Sequence, residues 1–100
     1  RQVIALFLED APRQVAALEE AVRDGDASAA GRSMHQLRGA CSLVGATGLD
    51  DLCLLVEQKV AGGALEPEYV RQVQDTLDRV LTELGAELGR RLPGRPAGLD

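Results

Sequence analysis

His35 is the only histidine in this chain of 100 residues, and its position on a predicted helix makes it the best candidate for chemistry. Stepping 100° per residue around that helix places the side chains that face the core within about a 120° arc. The arc contains Ala30, Ser33, Met34, Leu37, Ala40, Cys41 and Val44. His35 falls about 160° from the centre of the arc, on the solvent face. An exposed imidazole that is largely neutral near physiological pH is a nucleophile that needs no activating base.

The residues beside His35 on the same helix face are nearly all small. Gly31 lies four residues before it, Gly39 four residues after it, and Ser42 seven residues after it. A glycine inside a helix costs about 0.8–1 kcal/mol relative to alanine. We interpret the two glycines as positions without side chains, which leave space for another protein to approach the imidazole. Arg38, one turn further along, is a cation that can bind the oxygens of a phosphoryl group carried by the imidazole.

Glycines and prolines divide the chain into five segments of helical length, without strand-like alternation. The first predicted helix is short and lies between Val3 and Leu8, and the second runs from a cap at Asp10 and Pro12 to Gly25. The third runs from an N-cap at Asp26 to Val44. The fourth is opened by a capping box at Thr47 and Asp50 and ended by Gly62, and the fifth begins at Pro67.

Short turns between these helices predict antiparallel neighbours. We therefore expect an all-α fold, an antiparallel up-down four-helix bundle with a short additional N-terminal helix across one end. The bundle should occupy residues 1–92, and the Pro/Gly-rich stretch 93–100 should be a tail or linker. The chain begins with Arg1 instead of Met, so we expect it to be part of a longer polypeptide.

The eleven residues from His35 to Gly45, HQLRGACSLVG, resemble the signature of histidine-containing phosphotransfer (HPt) domains of two-component phosphorelays. That signature reads His, any residue, aliphatic, Lys or Arg, Gly, two small residues, two variable residues, aliphatic, Gly. The LFLEDAP beginning, the Gly-Asp turn before the third predicted helix and the run from Leu49 to Glu57 extend the resemblance over about residues 3–90. Arg38 stands where Lys is more frequent, and Ala40-Cys41 replaces the usual Ser/Gly pair.

The resemblance implies that His35 accepts a phosphoryl group from the aspartyl phosphate of a receiver domain and passes it to another receiver. Arg38 would stabilise the phosphoryl group, and Gly39 would give steric access. Mg²⁺ would be bound by the partner receiver, so no cofactor or metal is expected in this domain. The domain would be a phosphocarrier and not an autonomous enzyme. The expected partners are response regulator receiver domains, and a hybrid sensor kinase in the same polypeptide is a further candidate.

Receiver recognition needs apolar area beside the phosphoacceptor, which points to residues near His35 as the docking surface. The candidate partner-binding residues are Gly31, Gln36, Ser42, Leu43 and Phe7. For Phe7 the alternative, that it simply caps the bundle core, has equal weight.

Two other functions remain open from the sequence. The first is a helical adaptor that docks receiver or kinase domains without being phosphorylated. The second is the substrate domain of a chemotaxis-type kinase, phosphorylated by an ATP-binding domain of the same protein. Metal ligation by His35 is disfavoured, because no carboxylate lies three or four residues away on its helix.

The charge balance and the cysteine count exclude several classes of function. With 16 acidic and 11 basic residues the net charge is −5, which disfavours nucleic acids and anionic membrane surfaces. No apolar run could cross a bilayer and the start is unlike a signal peptide, so we expect a cytoplasmic location. Cys41 and Cys53 are expected to be reduced core thiols, with a redox-formed bridge as the alternative. No spare apolar stripe is evident, which favours a monomer.

Overall fold

The computed structural model describes residues 2–91, which form four α-helices joined by short turns. The helices are α1 (Gln2–Asp24), α2 (Ala27–Val44), α3 (Thr47–Ala61) and α4 (Pro67–Arg91). α1 packs against α2 and α4, and α3 packs against the same two helices. Because each turn is short, consecutive helices run antiparallel, and the described residues form an all-α four-helix bundle as predicted. The predicted tail, residues 93–100, lies outside the described residues.

The first two predicted helices are one continuous helix, α1, in the structure. Pro12 lies inside α1, and Asp10 is a helical residue instead of a cap. A proline there cannot donate a hydrogen bond to the carbonyl four residues earlier, at a cost of about 3 kcal/mol, which is why the sequence predicts a break. An apolar stripe runs across this point and offsets the loss. Its members are Phe7, Ala11, Val15 and Leu18, each at most 3% exposed.

α2 begins and ends at the predicted signals. The Asp26 carboxylate accepts a hydrogen bond from the backbone N–H of Ala29 at 3.0 Å, and so caps the N-terminus. Gly45 ends the helix in the left-handed conformation, with a φ of 75° that glycine adopts without a steric penalty. The predicted core arc is confirmed, since five of its seven members are buried: Ala30, Ser33, Met34, Leu37 and Cys41.

α3 begins where predicted but not by the predicted mechanism. Ala46 occupies the N-cap position without a side-chain hydrogen bond, so the capping box at Thr47 is wrong. The Asp50 carboxylate instead accepts a hydrogen bond from Arg38 on α2. A buried stripe keeps the helix in place, and its members are Leu49, Cys53, Val56 and Val60.

The two cysteines are free thiols in the core, as predicted, on the facing helices α2 and α3. The hydrogen bond to Cys41, together with burial, raises the pKa of the Cys53 thiol well above its ordinary value. A thiol held in its protonated form is a poor nucleophile, so Cys53 acts as a small core side chain. None of the helices within residues 2–91 is long and apolar enough to span a membrane.

The position of Pro12 within α1 gives a prediction for stability. Pro12→Ala restores a backbone hydrogen-bond donor and should raise the free energy of unfolding by up to about 3 kcal/mol in urea denaturation. Pro67→Ala is the matched control, because Pro67 is the first residue of α4, where the missing N–H costs nothing. A loss of stability in Pro12→Ala would show that Pro12 starts a separate helix.

Candidate functional site

The imidazole of His35 projects from the solvent face of α2, and 74% of its side-chain surface is exposed. The helical periodicity of the sequence predicts this exposed position for His35. A shallow cleft of about 250 Å³ adjoins the ring. It is lined by His35, Arg38, Gly39, Ser42 and Asp50. The first four of these are predicted site residues of α2, and Asp50 joins them from α3.

Glu57 on α3 faces His35 across the interface between the two helices. One carboxylate oxygen of Glu57, Oε2, lies 3.4 Å from Nδ1 of His35. A carboxylate at that nitrogen favours the tautomer that carries its proton on Nδ1. The lone pair is then on Nε2, the ring nitrogen that does not face Glu57. The contact with Glu57 therefore favours an imidazole whose free lone pair lies on the nitrogen that points away from α3.

Glu57 ends one of the sequence runs that extend the family resemblance, but the sequence analysis did not place it beside His35. Glu57 follows the buried Val56 and is seven residues after Asp50, so the two acidic side chains lie on the same face of α3. The buried stripe of α3 must turn towards the bundle core, which brings a flanking face against α2. The sequence alone does not say which helix that face will meet.

Arg38 is bound between two carboxylates from α3. Its Nε donates to Oδ1 of Asp50 at 2.8 Å, and its Nη1 donates to Oε1 of Glu57 at 3.3 Å. The hydrogen bond to Asp50, followed by that to Glu57, raises the pKa of Arg38. We expected a cation free to fold over a phosphoryl group, whereas the structure shows one held by ion pairs. Among the described residues, Nη2 of Arg38 has no hydrogen-bond partner and so can still donate to an incoming group.

No contact within the described residues explains why residue 39 is a glycine. A Cβ added at Gly39 would meet no atom within 4 Å, and one added at Gly31 would make only an ordinary contact with Val60 at 3.9 Å. Neither glycine has the positive φ that would require it. The hydroxyl of Ser42 donates back to the carbonyl oxygen of Gly39 at 2.8 Å and stays close to the helix. The small side chains therefore leave space outside the bundle.

A groove between α1 and α2 lies next to this face of the molecule. Gln36 and Leu43 line it from α2, and Leu43 is 61% exposed. Phe7, predicted as a docking residue, is only 1% exposed and belongs to the core. Leu6, which also lines the groove, is 58% exposed and supplies accessible apolar surface from α1. The burial of Phe7 confirms the alternative of equal weight, that it belongs to the bundle core, and its phase relative to Ala11 follows because α1 continues through Pro12.

Comparison with protein families assigns the chain. The sequence model of the Hpt domain matches residues 2–83, most of the chain, so the protein belongs to the Hpt domain family. Hpt domains are phosphocarriers with a phosphotransfer role in two-component signalling, and they interact with receiver domains in phosphorelays. Comparisons with curated proteins and with solved structures gave no significant match. The resemblance seen in residues 35–45 is thus confirmed at the level of the family.

The contact between Glu57 and His35 predicts the tautomer of the imidazole. Nitrogen NMR of the His35 ring should show the proton on Nδ1, and Glu57→Ala should raise the fraction with the proton on Nε2. Glu20→Ala removes an exposed carboxylate from α1 and should leave the tautomers unchanged. An unchanged tautomer fraction in Glu57→Ala would mean that Glu57 does not orient the ring.

Proposed function

We propose that this domain accepts a phosphoryl group on His35 from a receiver aspartyl phosphate and passes it to a second receiver. The observation that carries the proposal is an exposed imidazole whose inner nitrogen faces the Glu57 carboxylate at 3.4 Å. This arrangement supplies an oriented nucleophile and no second catalytic group. A carrier needs little more, because the residues that polarise the phosphoryl group belong to the partner.

The transfer begins with the lone pair on Nε2 of His35. That pair forms the N–P bond while the P–O bond to the receiver aspartate breaks, and the bonding electrons leave with the aspartate carboxylate. The ring keeps its proton on Nδ1 and gains positive charge, which the adjacent Glu57 carboxylate stabilises. Transfer to the second receiver is the reverse of this step. Mg²⁺, when held by the receiver, would supply positive charge to the phosphoryl oxygens in both transfers.

The docking surface that we propose combines the bare backbone beside His35 with the groove between α1 and α2. Gly31 and Ser42 leave the approach open, and Gln36 and Leu43 border the groove. Leu6 adds exposed apolar surface from α1. Burying such side chains against a receiver would supply affinity next to the reacting atoms. We propose the cytoplasm as the location, in keeping with two free thiols.

Transfer of radiolabel is the test of this function. The purified domain is mixed with receiver domains that carry labelled aspartyl phosphate and Mg²⁺, and His35→Gln serves as the control. We expect label on the wild-type domain alone, labile in acid and stable in alkali, as phosphohistidine is. Binding to receivers without any label would instead favour a helical adaptor that is not phosphorylated.

Steric access at Gly39 gives a second prediction. Gly39→Leu should slow transfer from a fixed receiver by about tenfold or more, because the new side chain fills the approach to the imidazole. The free energy of unfolding should stay the same or rise by up to about 0.8 kcal/mol, since leucine is a better helix former than glycine.

Gly85→Leu provides the matched control for this prediction. Gly85 is an exposed glycine inside α4, and a Cβ added there also meets no atom within 4 Å. Its substitution should affect stability in the same direction and leave the transfer rate unchanged. Equal transfer rates in Gly39→Leu and the wild type would refute the steric role of Gly39.

A further inference from the structure

Asp50 has no role in the transfer chemistry described so far, yet it lines the same cleft as His35. Its Oδ1 atom makes the shorter of the two hydrogen bonds to Arg38, at 2.8 Å against 3.3 Å for Glu57. The side chains of Asp50 and Arg38 are each 31% exposed. An ion pair that is two-thirds removed from water is screened less by solvent and salt than a fully exposed pair. Asp50 is therefore the main partner of Arg38.

We propose that Asp50 is a positioning residue that competes with the phosphoryl group for Arg38 and so weakens the hold of His35 on that group. The inference rests on the proposed function, and it concerns how long the domain stays loaded, that is, phosphorylated on His35. With Asp50 in place, the domain passes the phosphoryl group on instead of storing it.

The charges at the cleft support this competition. Arg38 contributes one positive charge, whereas Asp50 and Glu57 contribute one negative charge each, so the unloaded site is already negative. A phosphoryl group adds a charge of about −1.5 to −2. If Arg38 turns to the phosphoryl oxygens, it leaves the half-buried Asp50 carboxylate unpaired beside them. If Arg38, the one cation that lines this cleft, stays with Asp50 and Glu57, it can donate to the phosphoryl oxygens only through the N–H groups that the two carboxylates leave free, and its charge is shared with them. Either outcome raises the free energy of the loaded state.

The measurement is the equilibrium distribution of label between the domain and one receiver. Loading transfers the phosphoryl group from the receiver aspartate to Nε2 of His35, so the ratio of labelled domain to labelled receiver reports the relative stability of the N–P bond. Asp50→Asn removes the charge but keeps a similar shape and an oxygen that can accept from Arg38. We expect this substitution to shift the ratio towards the loaded domain by about three- to tenfold.

Asp51→Asn is the matched control, because it makes the same change of charge at the neighbouring, exposed residue that does not line the cleft. It should leave the ratio within about twofold of the wild-type value, since a fully solvated charge acts weakly. Asp50→Glu restores the carboxylate and should bring the ratio back towards wild type. The difference between Asp50→Asn and wild type should also shrink at high ionic strength, which a purely structural effect would not do.

A double-mutant cycle tests whether Asp50 acts through Arg38. In an Arg38→Ala background, Asp50→Asn should shift the ratio by less than it does alone. An equal shift in both backgrounds would overturn the competition, and so would an unchanged or lower loaded fraction in Asp50→Asn. Should Asp50→Asn lose helicity, Asp50→Ala removes the carboxylate with a stronger helix former and carries the same expectation.

The outcomes for this inference and for the proposed function are separable. If neither the wild type nor any Asp50 variant takes label from a receiver, the proposed function fails. If the wild type takes label on His35 and the Asp50 variants leave the ratio unchanged, only the role of Asp50 is refuted.

Discussion

The packing of α3 against α2 is the interaction on which the site depends. The His35 side chain is exposed, so it is not held in place by its own burial. Here the Glu57 carboxylate of the neighbouring helix lies 3.4 Å from Nδ1 of the His35 imidazole. The buried stripe of α3 holds this helix against α2. The register between the two helices determines which carboxylates lie near the imidazole. The hydrophobic core thus positions a group that lies outside it.

The face of α2 around His35 carries glycines, which lower the local stability of the helix. Glycine at position 39 costs about 1 kcal/mol relative to alanine, and no contact among the described residues requires it. The opposite face of α2 is buried in the core. The helix is also capped by the Asp26 side chain at its N-terminus and by a glycine at its C-terminus. The stability that the exposed face lacks is therefore supplied by the buried face and by the ends of the helix.

The charges beside His35 bear on the role that we propose for it as a carrier of the phosphoryl group. A site built to retain a phosphoryl group would present unpaired cations, as strong phosphate sites do. Here the cation in the cleft is shared with Asp50 and Glu57. If His35 carries a phosphoryl group as proposed, such a site would bind that group less tightly and keep the free energies of the two transfer steps closer to each other. A relay intermediate works best when it does not form a deep energy minimum between its two partners.

The sequence by itself determined the four-helix bundle, the ends of α2 and the exposure of His35. These features follow from periodicity and caps, which act between residues at most a few positions apart. The tertiary structure decided the continuity of α1 through Pro12, the burial of Phe7 and the pairing of Arg38. Each depends on contacts between distant residues, such as Arg38 and Glu57, which are 19 positions apart. Helical periodicity shows which face of a helix is buried, but the packing of the bundle determines which residues meet across it.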